Sequence, residues 1–153
     1  MPILKENRSR YPAKWGEIRQ DILRRAKYCC EWCGVPNYAV GYRDENGRFV
    51  AAYGSAPIDA IGRGKTWPNE SIRTTYAEAK EYAFDFNFNA GDHHWIVIVL
   101  TIAHVHDHAP ENCDSSNLAA LCQRCHIRHD APIKAKRRRD KRRENQPTLF
   151  QLD

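Results

Sequence analysis

The chain has 153 residues, of which 42% are hydrophobic, and its 24 basic and 19 acidic side chains give a net charge of +5. Its mean hydropathy is −0.73, and no apolar run approaches the ~20 residues that a membrane-spanning helix needs, so we expect no membrane partner. The length predicts one domain, at roughly 100–200 residues per domain, and the first residues lack the apolar core of a signal peptide, which predicts a cytoplasmic protein.

The first predicted element is an amphipathic helix over residues 12–28. Its apolar side chains recur at helical spacing, whereas the charged side chains mostly occupy other faces. Pro12 suits the first turn of a helix, where a backbone N–H would have no partner. The apolar positions are Trp15, Ile18, Ile22, Leu23 and Ala26.

Four of the six cysteines form two Cys-x-x-Cys pairs, Cys30/Cys33 and Cys122/Cys125. In a chain without an export signal, this spacing favours metal binding over disulfides. Four thiolates are the closed tetrahedral set that a structural zinc ion prefers. We therefore expect a Zn²⁺ ion that ties the N-terminal helix to a later helix. The cysteines left over as free thiols are Cys29 and Cys113.

The middle of the chain, residues 38–92, gives structural signals but no chemical ones. Asn46-Gly47 predicts a hairpin with a type I′ turn, and residues 54–69 are rich in glycine and proline and read as a loop. Thr75-x-x-Glu78 fits a capping box that opens a helix ending at about Ala83. The alternating phenylalanines of residues 84–88 predict a short strand or extended edge. We expect this region to be an insertion.

Residues 95–103, WIVIVLTIA, form a continuous apolar run that predicts one buried strand. Residues 114–116 offer N-cap side chains for a helix from about Asn117. One face of that helix would be apolar and zinc-binding, and Pro132 would end or kink it. The residues of this face are Leu118, Leu121, Cys122, Cys125 and His129.

Residues 101–130 also contain His104, Asn117 and His126 in the order H…N…H. With the two Cys-x-x-Cys pairs, this pattern resembles the zinc-bearing branch of the HNH endonucleases. The resemblance covers residues 11–37 and 96–132 well and the middle loosely. It implies an α+β fold in which a small ββα-metal core, an N-terminal helix, the four-cysteine zinc site and the insertion form one nuclease domain over residues 1–132, followed by a basic tail over residues 133–153.

The resemblance also implies roles for the three residues. His104, directly after the apolar strand, would be the general base, since a neutral imidazole can take a proton from water near neutral pH. Asn117 would fix the imidazole or the catalytic loop through hydrogen bonds. His126 would bind one catalytic divalent ion such as Mg²⁺ or Mn²⁺.

One position departs from the family pattern. Most HNH enzymes place a metal-binding aspartate immediately before the base, and this chain has Ala103 there. The carboxylate or another ligand must come from elsewhere, and the candidates are Asp107, His106 and Asp130. A rival alignment pairs Asp107 with His108 and makes His108 the base.

The basic character of the chain is concentrated near its C-terminus. Residues 134–143 carry eight basic and one acidic side chain, so the rest of the chain has a net charge of −2. We expect this stretch, whether helical or disordered, to contact DNA phosphates. Its basic residues are Lys134, Lys136, Arg137, Arg138, Arg139, Lys141, Arg142 and Arg143.

The last residues suggest a second partner. Gln146-x-x-Leu149-Phe150 looks like the pentapeptide with which bacterial replication and repair proteins dock on the sliding clamp. Two adjacent large apolar side chains suit a preformed pocket. The alternative is that Leu149 and Phe150 fold back onto the body of the protein.

These expectations combine into two hypotheses. The first is a metal-dependent endonuclease that nicks or cleaves DNA by hydrolysing phosphodiester bonds. The second is a catalytically silent zinc module that binds nucleic acid, which Ala103 favours. The histidines clustered at 104–108 favour the first hypothesis, because a pure binding module has no need of converging imidazoles.

Overall fold

The structure is a computed structural model that describes residues 5–52, 75–89 and 93–145. The described chain is α+β, as expected from the sequence, and none of its helices is long and apolar enough to cross a bilayer. The α-helices are α1 (Trp15–Arg25), α2 (Tyr76–Asn89) and α3 (Gln123–Glu144). The strands are β1 (Val40–Arg43), β2 (Phe49–Ala51), β3 (Ile96–Val97), β4 (Thr101–His104) and β5 (Leu118–Leu121), and short 3-10 helices span Lys5–Arg10 and Ser115–Asn117.

The predicted hairpin is present, but its turn is not type I′. Strands β1 and β2 pair antiparallel, with β3 on the other side of β1. A type I′ turn needs positive φ at both central residues, and here Gly47 has a φ of 70° whereas Asn46 does not have a positive φ. The backbone N–H of Asp44 donates to the carbonyl of Arg48 at 3.0 Å, so the loop between these two residues contains three residues.

Helix α2 begins at the predicted capping box and then continues further than expected. The hydroxyl of Thr75 accepts from the backbone N–H of Glu78, and the Glu78 carboxylate accepts from the N–H of Thr75, both at 3.2 Å. The strand expected over residues 84–88 is helical instead. Phe86 packs on Trp95 with ring centroids 4.2 Å apart, so the alternating phenylalanines mark one packed and one exposed side of a helix.

The apolar run 95–103 is not one strand. Its first part, β3, pairs with β1, and its last part, β4, pairs with β5 in a separate two-stranded sheet. Ile98 and Leu100, both fully buried, lie between the two strands. The side-chain oxygen of the buried Asn37 accepts from the backbone N–H of Leu100 at 2.9 Å. This N–H therefore has a hydrogen-bond partner although strand pairing is interrupted there.

The helix expected from Asn117 begins six residues later. Residues 118–121 are all buried and form β5 antiparallel to β4, so strand pairing outweighs the helical spacing of their apolar side chains. The cap at Asp114 serves only a 3-10 turn, where its carboxylate accepts from the N–H of Ser116 at 2.8 Å. Helix α3 then runs through Pro132 to Glu144, so residues 134–143 are helical. Strand β4, a loop, β5 and α3 therefore follow one another along the chain.

Candidate functional site

The four predicted zinc ligands come together. The sulfur atoms of Cys30, Cys33, Cys122 and Cys125 all lie within 4.8 Å of one another, and those of Cys33 and Cys122 are 3.7 Å apart. Four sulfurs at ~2.3 Å from a tetrahedral zinc ion lie about 3.8 Å from one another. The quartet therefore fits a zinc ion in both donor chemistry and spacing, and it is a four-cysteine cluster that can hold such a metal.

Tight backbone geometry on both sides directs these sulfurs inward. The N–H of Gly34 donates to the carbonyl of Cys30 at 2.8 Å, and Gly34 has a φ of 75°, which glycine adopts without a Cβ clash. Cys122 is the N-cap residue of α3, so Cys125 lies in the first helical turn. The N–H of Cys122 donates to the sulfur of Cys30 at 3.3 Å, a bond that favours a thiolate.

The thiols of the quartet share protons unequally. Hydrogen bonding with Cys125, and then with Cys30 and Cys33, lowers the pKa of Cys122. Hydrogen bonding with Cys122 raises the pKa of Cys125. Because zinc binds thiolates, metal binding at the quartet displaces the remaining protons and weakens as pH falls. Cys29 lies outside the quartet.

A cleft of about 740 Å³ lies between the N-terminal segment, the loop after β4 and the middle of α3. Both His104 and His126 line this cavity. Four basic side chains also line it, two from the N-terminal segment and two from α3. The ionisable and basic lining residues are His104, His106, His108, His126, Asp107, Asp130, Arg10, Arg19, Lys134 and Arg137.

Asn117 is buried beneath the loop of this cleft, with 4% of its surface exposed. Its side-chain oxygen accepts from the backbone N–H groups of His106 (3.0 Å) and Asp107 (2.9 Å). Its amide nitrogen donates to the carbonyls of Asp107 (2.8 Å) and Asn112 (2.9 Å). The side chain thus fixes the loop after β4 rather than the His104 imidazole directly.

His104 ends β4 inside an aromatic enclosure that the sequence did not predict. The Trp15 ring is stacked on the imidazole with centroids 6.1 Å apart, and Tyr11 meets it edge-on at 5.9 Å. Burial, and then the nearby His108, lower the pKa of His104. The imidazole is therefore neutral at pH 7 and can accept a proton.

His126 is held with one ring nitrogen directed toward a carboxylate. The Thr101 hydroxyl oxygen lies 2.6 Å from Nδ1 of His126, within hydrogen-bonding distance. The other ring nitrogen, Nε2, lies 3.7 Å from the Asp130 carboxylate. Burial lowers the pKa of His126, which favours the neutral ring that can bind a metal.

The two cleft aspartates have different partners. One oxygen of Asp107 accepts from the N–H of Ala109 at 3.0 Å and the other from the amide of Asn112 at 2.9 Å, so Asp107 is engaged within its own loop. Asp130 contacts His126, His129 (3.2 Å) and Lys134 (3.3 Å). Among the described ranges, no three histidine or carboxylate ligand atoms of the cleft lie within 4.8 Å of one another, so a metal there would take few protein ligands.

The predicted basic stretch divides along α3. Lys134 and Arg137 line the cleft together with Arg10 and Arg19. The sequence did not predict a role for Arg10 or Arg19, and their position on the N-terminal segment was the only sequence feature that pointed to them. Arg138, Lys141 and Arg142 border a separate depression of about 420 Å³ near the end of the helix. The remaining predicted phosphate contacts, Lys136, Arg139 and Arg143, are exposed. The Gln146, Leu149 and Phe150 motif lies outside the described residues.

Comparisons of the chain with protein-family models, with curated proteins and with solved structures found no match. The quartet and the histidine cleft therefore rest on their own geometry. What that geometry establishes is an α+β protein with a four-cysteine cluster that can bind a metal such as zinc.

Proposed function

We propose that this protein is a metal-dependent endonuclease of the HNH type that hydrolyses phosphodiester bonds in DNA. The observation that carries the proposal is the convergence in one cleft of a strand-end histidine, a loop fixed by Asn117 and a helix histidine beside a carboxylate. They come from β4, the following loop and α3, in the chain order that the sequence resemblance implies.

His104 acts as the general base. Its enclosure by Trp15 and Tyr11 keeps the imidazole neutral, so it takes a proton from a water molecule at neutral pH. The resulting hydroxide attacks phosphorus, the P–O bond to the leaving sugar oxygen breaks, and that oxygen takes up a proton from solvent, to which His104 afterwards releases the proton it accepted. His108 also lines the cleft and keeps the rival assignment open.

His126 and Asp130 would hold the catalytic divalent ion, because Nε2 of His126 lies 3.7 Å from the Asp130 carboxylate. Asp130 then supplies the carboxylate that Ala103 lacks. A small set of protein ligands suits Mg²⁺, which keeps several waters when bound. Such an ion stabilises the negative charge that develops on the phosphate.

The charged walls of the cleft suit a phosphodiester backbone. Arg10 is oriented by Glu111, whose carboxylate oxygens accept from its guanidinium at 2.5 and 3.0 Å. Arg19, Lys134 and Arg137 add three further cationic groups around the same space. Phosphate contacts of this kind position DNA without reading its sequence.

The experiment asks first whether the protein cuts DNA at all. Purified zinc-loaded protein is incubated with supercoiled plasmid in Mg²⁺, in Mn²⁺ or without added divalent metal. We expect nicked or linear product only in the divalent metals. Binding of the plasmid with no cleavage in either metal would instead support the catalytically silent zinc module, for which the buried Ala103 is the favouring observation.

A further inference from the structure

A second cavity, which the proposed chemistry does not use, lies on the neighbouring side of α3. This groove has a volume of about 660 Å³ and is formed by β3, the start of α2 and the first turns of α3. Arginines from two elements, Arg43, Arg124 and Arg128, line it, and no aspartate or glutamate does among the described residues. The groove is therefore positively charged, although the chain outside residues 134–143 has a net charge of −2.

These arginines carry charge that the described residues do not neutralise. Within the described residues, the hydrogen bonds of Arg43 and Arg124 go to the backbone carbonyls of Gly47 and Asn46, each at 3.3 Å. Arg43 also lies over the Phe49 ring at 5.6 Å. None of the three forms an ion pair with a carboxylate within residues 5–52, 75–89 and 93–145. Uncompensated guanidinium groups around one space favour an anionic ligand.

The rest of the groove is apolar and aromatic. Ile127 is 57% exposed on α3, and Tyr76 is 50% exposed at the start of α2. Both line the groove together with Trp95 and strand β3. A ligand that matches a cationic rim and an apolar floor carries phosphates and flat, weakly hydrated faces. Unpaired nucleotides have this chemistry, whereas a duplex hides its base faces by stacking.

We propose that this groove binds an unpaired nucleic-acid strand next to the cleavage cleft, so that the preferred substrate is DNA with a single-stranded segment. The inference rests on the proposed function for its substrate. Helix α3 separates the two sites, with Asp130 and Lys134 lining the cleft and Ile127 and Arg128 lining the groove. A helix diameter is ~10 Å, so the unpaired segment begins about that distance from the cut phosphate.

The test is equilibrium binding, measured by fluorescence anisotropy with zinc-loaded protein and no added Mg²⁺ or Mn²⁺. The two substrates are a blunt duplex and the same duplex with a ten-nucleotide single-stranded tail. The variant is Ile127→Ser combined with Arg128→Glu, both exposed and outside the cleft. The matched control is Arg138→Glu, the same charge change further along α3.

The control should weaken binding to both substrates by the same factor. The double variant should weaken binding to the tailed substrate about tenfold more than binding to the duplex, because stacking of each base contributes measurably. Equal loss on the two substrates, or no loss, overturns the proposal. So does stronger competition by polyglutamate than by single-stranded DNA, which would assign the groove to an acidic protein. Since no cleavage is measured, the result does not depend on whether the protein is a nuclease.

Discussion

At the scale of single residues, Asn117 holds the loop beside the cleft in place. Its buried amide makes four hydrogen bonds to the backbone of the loop after β4. Asn117→Ala should lower the free energy of unfolding by about 2–4 kcal/mol, because several backbone groups lose their partners. Urea denaturation measures this loss. Asn112→Ala, which removes only a side-chain bond to the exposed Asp107, is the control and should cost much less.

If the proposed function holds, the pH dependence of cleavage reports on His104. Its pKa is lowered by burial, and a general base must be unprotonated, so kcat/KM should fall tenfold per pH unit only below a midpoint under the ordinary value of about 6.5. The rate is measured at saturating metal. Tyr11→Ala admits water to the imidazole and should move this midpoint upward. An unchanged midpoint in that variant, with activity retained, would indicate a different base.

The two cleft aspartates offer a matched comparison. Asp130→Asn should raise the concentration of Mn²⁺ needed for half-maximal cleavage by roughly 10-fold or more, because it removes a carboxylate beside His126. Asp107→Asn should leave that concentration nearly unchanged, since Asp107 is held within its own loop and, among the described residues, has no contact with His126. The opposite ranking of the two variants would assign the metal to Asp107.

At the scale of elements, α3 is shared by every candidate site. Its N-terminus carries two of the four cysteines, its middle carries His126 and Asp130, and its basic C-terminal half extends beyond the cleft. A metal at the quartet joins this helix to the turn that follows α1. The quartet therefore fixes the helix on which the cleft depends.

Replacing one ligand tests that dependence. Cys122→Ser should lose zinc and cooperative unfolding, since a structural zinc contributes on the order of 10–16 kcal/mol in small peptides. Metal analysis and thermal unfolding measure the two effects. Cys29→Ser lies next to the quartet in sequence but outside it in space and should keep both. Full zinc content in the Cys122 variant would mean that the ligands are different.

Local signals in the sequence predicted some elements well. The capping box, the Asn46-Gly47 hairpin and the two Cys-x-x-Cys pairs each depend on a few neighbouring residues or on strict spacing, and all are present. Strand β5 was mistaken for helix because its four buried residues also fit a helical period, and only pairing with β4 decides between the two. The break between β3 and β4 likewise depends on a partner, Asn37, that is distant in sequence.

In the cleft, too, features set by neighbouring residues could be predicted from the sequence, whereas contacts between distant residues could not. His104, Asn117 and His126 could be selected from their order along the chain. The rings around His104 could not, because Tyr11 and Trp15 lie about ninety residues before it in the chain. The preference for Asp130 over Asp107 rests on the 3.7 Å approach of the Asp130 carboxylate to Nε2 of His126, whereas Asp107 is held within its own loop.

At the scale of the whole molecule, the charge distribution suggests how DNA would lie on the protein. The cleft, the groove and the exposed basic residues of α3 are arranged along one helix. A strand that follows this helix would meet cationic side chains along its length. The sliding-clamp interaction predicted from Gln146, Leu149 and Phe150 would be an additional contact beyond it.

The most direct test of the central claim is whether the histidine cleft performs the cleavage. The rate of plasmid nicking in Mn²⁺ is measured for His104→Ala, His126→Ala and, as a control outside both the cleft and the groove, His93→Ala. The first two variants should lose about 10²-fold or more of the rate while retaining zinc and a folded structure, and the control should match the wild type. Wild-type rates in both cleft variants would contradict the account.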